Sequence, residues 1–289
     1  MKKFSFSINQ KGVFLLSLMC LTYQPLIAHT TEEKPHEHHH SMKHAQQPPT
    51  VRFTIEKIVD DGGKKVVFFK LMDSKSNNPI RLADLKEVHT QKIHLLIIDN
   101  TLTDYSHVHP QPTSEPGVYR FQWQPTHKNS AYRAWADLVP IHTNKQQYVT
   151  ADLLPGKSST TIKADNKLSY ESTINGYQFH LSFDAPLKVG KAAMGKITVT
   201  DSESKPIHTL EPIMGAFAHI VGFNNDLQTV VHIHPMGTEP NSEAARGGPE
   251  LQFHIEPEKT GFTKVFAQVK INGQELYAPF GIFVENNKS

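Results

Sequence analysis

The sequence predicts an all-β fold, two tandem antiparallel β-sandwiches behind an N-terminal leader, and three observations predict it. From Thr50 onward, apolar and β-branched residues fall in short alternating runs punctuated by Gly, Pro, Asn and Asp. No window between residues 50 and 289 carries a sustained helical period bounded by caps. The order of runs in the first half then returns in the second, with an offset of 125 residues from His94 to His219.

The leader comes first. Lys2, Lys3 and Lys11 form a positive region, "GVFLLSLMCLTY" is an apolar run short for a membrane span, and "PLIA" suits cleavage after Ala28. Residues 1–28 read as a signal peptide; the rivals are an uncleaved anchor, or a lipoprotein signal on Cys20, disfavoured because Met19 stands where a small residue is usual. Cys20 is the single cysteine, so disulfides, thiolate metal sites and cysteine nucleophiles are excluded from the mature chain. The expected destination is the periplasm or the exterior, with no membrane contact after cleavage.

Residues 29–49, "HTTEEKPHEHHHSMKHAQQPP", hold six histidines and three prolines and almost nothing that could be buried. Such a stretch cannot offset its ordering entropy and is expected to be a disordered linker. It is suited to weak, exchangeable metal capture, or serves only as a solvated spacer.

A first sandwich is expected over residues 50–153, a linker over 154–166 and a second sandwich over 167–289. "VRFTIEKIV" and "KKVVFFKLMD" flank "DDGG", a strong hairpin signal. "KIHLLIIDN" and "YSHVHP" flank a second turn, and "VYRFQWQP" and "AYRAWADLVP" complete the half. In the second half, "YQFHLSFD" and "GKITVTD" take the place of the first hairpin. "FAHIVGFNNDLQTVVHIHP" matches "KIHLLIIDNTLTDYSHVHP", "PELQFHIEP" matches "GVYRFQWQP", and "GFTKVFAQVKI" matches "SAYRAWADLVP". Repeats of about 110 residues suit an Ig-like sandwich. Trp123, Trp135, Phe121 and Phe253 are expected in the sandwich cores.

Composition is that of a globular protein, with a formal charge of +2 and 20% charged residues scattered without a basic stripe, so nothing asks for nucleic acid as a partner and none is expected. Histidine, at 18 copies, is the outlier. A hairpin turning at Asn100 and Thr101 would put His94 across from His107, and His109, two residues on, would share their face; a longer loop would shift the pairing by one or two residues without necessarily losing the convergence. The same construction around Asn225 and Asp226 gathers His219, His232 and His234. Five residues before each set stand His89 and Met214, candidates for a fourth ligand, and Met236 follows His234. Three neutral imidazoles suit Cu(II), Zn(II) or Ni(II), with copper favoured on raw affinity. An H-x-H pair on a strand can equally pack, meet carboxylates or face water. His127, His142, His180, His208 and His254 lack equivalents in the other repeat and read as surface or edge residues. Asp99, Asp104 and Asp226 read as turn residues, Asp104 with a possible second role in orienting an imidazole.

The segments "EPIMGAFAHIVGFNNDLQTVVHIHP" and "KIHLLIIDNTLTDYSHVHPQ" resemble those of a group of secreted bacterial two-repeat proteins with an H…HxHP motif, across most of residues 65–285. More loosely, the repeats are similar to the Ig-like periplasmic domains of the CopC-like and YtkA-like families, which implies a copper or heavy-metal handling role. The chain departs from the copper-resistance pattern in lacking an N-terminal histidine ligand in a folded context, although His29 would lead the mature chain.

The leading expectation is therefore a periplasmic or secreted metal-binding protein, for copper or else zinc, that buffers, stores or passes ions to an efflux or assembly protein. One competitor is a secreted interaction module with structural histidines. The other is a metalloenzyme with three histidine ligands. Against the enzyme, neither motif is accompanied by a carboxylate at reliable spacing to serve as base, Glu87 being one candidate, and no Gly-x-Ser-x-Gly elbow, phosphate loop or paired glycosidase carboxylates stand out.

Overall fold

A computed structural model describes residues 48–156 and 164–287, with the side chains of His232 and His234 left out. The expected signal peptide and the His-rich stretch as far as residue 47 lie outside the described residues. Among the described residues no helix is long and apolar enough to cross a membrane, and the only helical turn is a short 3-10 segment, Leu82–Asp84.

The first repeat contains β1 (Val51–Asp61), β2 (Lys64–Asp73), β3 (His94–Asp99), β4 (Tyr105–Val108), β5 (Gln111–Pro112), β6 (Val118–Trp123), β7 (Ala131–Leu138) and β8 (Gln147–Pro155). They pair antiparallel in two sheets, β1-β2-β6-β5 and β4-β3-β7-β8. That is the Ig-like order, in which the third, fourth, seventh and eighth strands face the other four. The "DDGG" signal acts through Gly62 and Gly63, at φ 57° and 90°, which close β1 onto β2 with Asp61 opposite Lys64. Val67, Phe69, Leu71, Phe121, Trp123, Leu95 and Ile97 fill the space between the sheets.

The second repeat contains β9 (Glu171–Ile174), β10 (Tyr177–Phe183), β11 (Ala193–Thr200), β12 (Leu210–Glu211), β13 (His219–Asn224), β14 (Val230–Pro235), β15 (Glu250–Ile255), β16 (Gly261–Ile271) and β17 (Gln274–Val284). β10-β11-β15 form one layer and β14-β13-β16-β17 the other, around Phe179, Ile197, Phe253 and Phe280. Here β14 crosses between the layers, because His234 and Pro235 pair with His254 and Phe253 of β15. In the first repeat the same motif is a corner. β4 ends at Val108, Pro110 follows, and β5 joins the opposite sheet from Gln111. Pro110, which has no N–H to give a ladder, stands at this corner.

The two repeats press the β3-β4-β7 and β13-β16 faces together. Leu96, Ile98, Leu102, Tyr105 and Trp135 of the first meet Val221, Phe223, Phe262 and Phe266 of the second in a separate apolar cluster. Trp135 therefore does not belong to the first sandwich core as expected from sequence. It stands opposite Leu96 on the outer face of its sheet and is covered by the other repeat. Polar groups reinforce the contact: Arg133 donates to the Leu227 carbonyl at 2.9 Å, and Asp165 accepts from Lys264 at 2.9 Å while its own N–H donates to the Thr101 carbonyl at 2.9 Å.

Candidate metal centre

β3 and β4 bring the first histidine set together, in a register the sequence did not specify. Leu95 pairs with Val108 and Leu96 with His107, so continuing the ladder puts His109, not His107, across from His94. The expected turn at Asn100 and Thr101 is a longer loop. Asp99, fully buried, accepts from the N–H groups of Thr103 and Asp104 at 3.0 Å each, and Leu102 turns at φ 61° with its side chain buried. His127 lies at the surface as expected, and from there adds a 3.0 Å contact to the Asp99 carboxylate. Asp104 orients no imidazole; it accepts from the Thr126 N–H and the Tyr132 hydroxyl.

The shift is by two residues, so side-chain parity is kept and the three rings still converge. One nitrogen from each of His94, His107 and His109 lies within 4.8 Å of the others. His94 Nδ1 is 3.1 Å from His107 Nε2 and 3.1 Å from His109 Nε2. Two imidazole nitrogens bound tetrahedrally to one ion at about 2.0–2.1 Å stand about 3.3 Å apart, so little movement separates this arrangement from a coordination shell.

The outer nitrogens decide which inner ones carry lone pairs. His94 Nε2–H donates to the Val88 carbonyl at 2.9 Å, which leaves Nδ1 unprotonated in the neutral ring. His107 Nδ1 is 2.9 Å from Gln268 Oε1. The Gln268 amide is itself fixed, since its Nε2 donates to the Glu275 carboxylate at 2.8 Å and to the Tyr277 hydroxyl at 3.0 Å. Its oxygen must therefore face His107, whose Nδ1 carries the proton and whose Nε2 carries the lone pair. Two lone pairs, on rings only 3% and 8% exposed, then point at each other across 3.1 Å. His109 Nε2–H can donate to the His94 lone pair across 3.1 Å, and an ion bound by all three rings would take the place of that bond. A proton is a poor substitute for that ion: burial lowers His107 to about 3, with the His94 charge adding to the effect, and burial lowers His94 to about 4 against the opposing Val88 bond. Burial also depresses His109, countered by Glu275, and His89, countered by Glu239.

The remaining candidates frame this group. His89 sits in a two-residue turn, with its ring 6.4 Å from that of His94 and 6.3 Å from that of His219. Met214 occupies the equivalent turn of the second repeat, at φ 51° and half-buried. His219 lies 4.5 Å from His107 and 6.1 Å from His94 between ring centroids, the latter pair only 10° from parallel. The backbone puts His232 opposite Val221 and His234 opposite His254. Met236 is exposed.

Residues 57–153, and again residues 172–286, match the family described as a domain of unknown function, DUF8832. The chain belongs to this family. The two DUF8832 segments coincide with the two histidine-bearing repeats. No curated protein matches the chain. Among solved structures it is similar to the D00-D0 domain of intimin (9% identity, 81% of this chain and 99% of that one, TM-score 0.24). It is also similar to domains 4 and 5 of the S-layer protein SbsC (11% identity, 82% and 96%, TM-score 0.22). A third is MtrC from Shewanella baltica OS185 (7% identity, 81% and 68%, TM-score 0.23).

Sequence reasoning missed the groups that set the tautomers. Gln268, Glu275 and Tyr277 reach the first DUF8832 repeat from the second, and no motif marks them. Aligning "GFTKVFAQVKI" with "SAYRAWADLVP" gives the one available signal, because it sets Gln268 level with Asp137, the residue paired with His94.

Proposed function

We propose that this chain is a secreted or periplasmic metal-binding protein, for copper or else zinc, that buffers ions or passes them to an efflux or assembly system. The observation that carries this reading is the convergence of His94 Nδ1, His107 Nε2 and His109 Nε2, two of the separations being 3.1 Å, with the His94 and His107 rings each held by a hydrogen bond from the other nitrogen. A ligating histidine typically donates its second N–H to a carbonyl or carboxylate in just this way. His109 supplies a third nitrogen and is half-buried, so an ion has an approach from solvent. The leader supports secretion, and the His-rich stretch of residues 29–49 would gather ions near the folded repeats.

Calorimetric titration of the untagged mature protein with Cu(II) and with Zn(II) tests this. His107→Ala should remove a tight site and leave the weaker uptake by residues 29–49. Identical stoichiometry and affinity in the variant and the parent would end the proposal.

A further inference from the structure

We propose that the two histidine sets form one paired centre at the face between the repeats, holding two metal ions close enough to interact. The inference rests on the metal-binding reading above and concerns how the two sites of that reading are arranged. Separate sandwiches with a triad each would carry two independent ions. The docking of the repeats argues for something else.

The backbone frameworks of the two sets are the same. In the first repeat Leu96 pairs with His107 and Ile97 with Ser106; in the second Val221 pairs with His232 and Gly222 with Val231. Every one of these positions moves by 125 residues between the repeats, as His94 does to His219 and His109 to His234. The backbone thus gives His219, His232 and His234 the register positions that His94, His107 and His109 hold in the first repeat.

Those two faces meet each other. His94 and His219 are equivalent residues, and their rings lie 6.1 Å apart and 10° from parallel across the contact between the repeats. His219 also packs on His107 at 4.5 Å. The equivalent two-residue turns approach as well, since a Cβ on Gly215 would stand 3.9 Å from Thr90 Cγ2. With an ion about 2 Å beyond a nitrogen of each ring, ions held by His107 and His219 lie within about 11 Å of each other.

The supporting hydrogen bonds carry the same relation. Gln268 sits level with Asp137, Glu275 with Gln146, and Tyr277 with Tyr148. In the second repeat the Gln268 amide donates to the Glu275 carboxylate at 2.8 Å and the Tyr277 hydroxyl at 3.0 Å. In the first, the Gln146 amide donates to the Asp137 carboxylate at 2.8 Å and the Tyr148 hydroxyl at 3.0 Å. Amide and acid have exchanged positions, yet each repeat presents one acid, one amide and one tyrosine to the shared face. Gln268 spends its oxygen on His107 of the opposite repeat. The centre is thus assembled by docking, and an ion in the first triad is held by residues of both repeats.

Electron paramagnetic resonance of the full mature chain loaded to saturation with Cu(II) distinguishes a pair from two isolated ions. A pair gives dipolar broadening and a half-field signal, and both should vanish in His219→Ala and in His107→Ala while an isolated Cu(II) spectrum remains. His109→Ala, at a half-buried position that tolerates truncation better, should also abolish the coupling. Isolated spectra in the parent, with each variant only lowering the spin count, would overturn the pairing and leave metal binding intact. Copper uptake insensitive to all three variants would overturn both.

Discussion

Among single residues, Gln268 makes the sharpest claim, because it touches no ion and yet decides which nitrogen of His107 is free. Glu275 and Tyr277 hold its amide, the amide oxygen holds the Nδ1 proton, and Nε2 is left for coordination. Gln268→Leu removes the acceptor while keeping the volume, so His107 should sample both tautomers, and metal affinity should fall by about 10–100-fold, the usual cost of losing such a partner. Nitrogen-15 spectra of the imidazoles should show the Nδ1–H signal of His107 giving way to a mixture. Unchanged affinity with an unchanged His107 tautomer would falsify the role. The clustering of His94, His107 and His109 was legible in the sequence, since H-x-H after a short loop from a third histidine has a readable geometry. Gln268 was not, because it lies 161 residues from His107 and reaches it only when two sheets dock.

At the level of elements, the β3–β4 hairpin shows what a sequence pattern can and cannot settle. The loop was expected at Asn100 and Thr101 and is longer, because the buried Asp99 carboxylate draws in two further N–H groups and Leu102 tucks into the contact between repeats. That moved the pairing by an even number of residues, so the face was right while the partner was wrong. The run "HLLIID" carries a further signal. An unbroken apolar run marks a strand covered on both sides, and all six residues of β3 are buried, odd positions in the sandwich and even ones against the other repeat. The turn before β3 gives a test at the same scale. Val88 and Gln91 exchange backbone hydrogen bonds at 2.8 and 3.1 Å around His89 and Thr90, at φ 48° and 66°. A β-branched residue is strained there, and the second repeat has Gly215 at the equivalent position. Thr90→Asn should relieve about 1 kcal/mol of strain and raise Tm, without the unfolded-state entropy that glycine would add. A lower Tm would mean that packing of the Thr90 methyl outweighs the strain.

For the whole molecule, the architecture of two Ig-like repeats could be read from strand spacing and the offset of 125, but the docking of those repeats could not. Each strand pattern reports only whether a face is covered, and not by what. The covering surface here is aromatic: Phe223 is fully buried, 5.3 Å from both Tyr105 and Trp135 and 6.2 Å from Phe266 between ring centroids. An interface of this kind binds the repeats into one cooperative unit, in contrast to the polar contacts that let tandem domains move independently. Thermal unfolding of the parent should therefore be a single transition, seen alike by far-ultraviolet circular dichroism and by tryptophan fluorescence, to which Trp135 contributes from the interface. Bound metal should shift the whole transition upward, by about 2.7 kcal/mol at a free-ion concentration of 100 Kd. Phe223→Ala should cost about 3–5 kcal/mol and divide the melt into two steps. It should also weaken ion binding without altering a single ligand, because Gln268 and His219 reach the first triad only through that contact. Two steps already present in the parent, or a Phe223→Ala protein with undiminished affinity, would show that the repeats do not depend on one another.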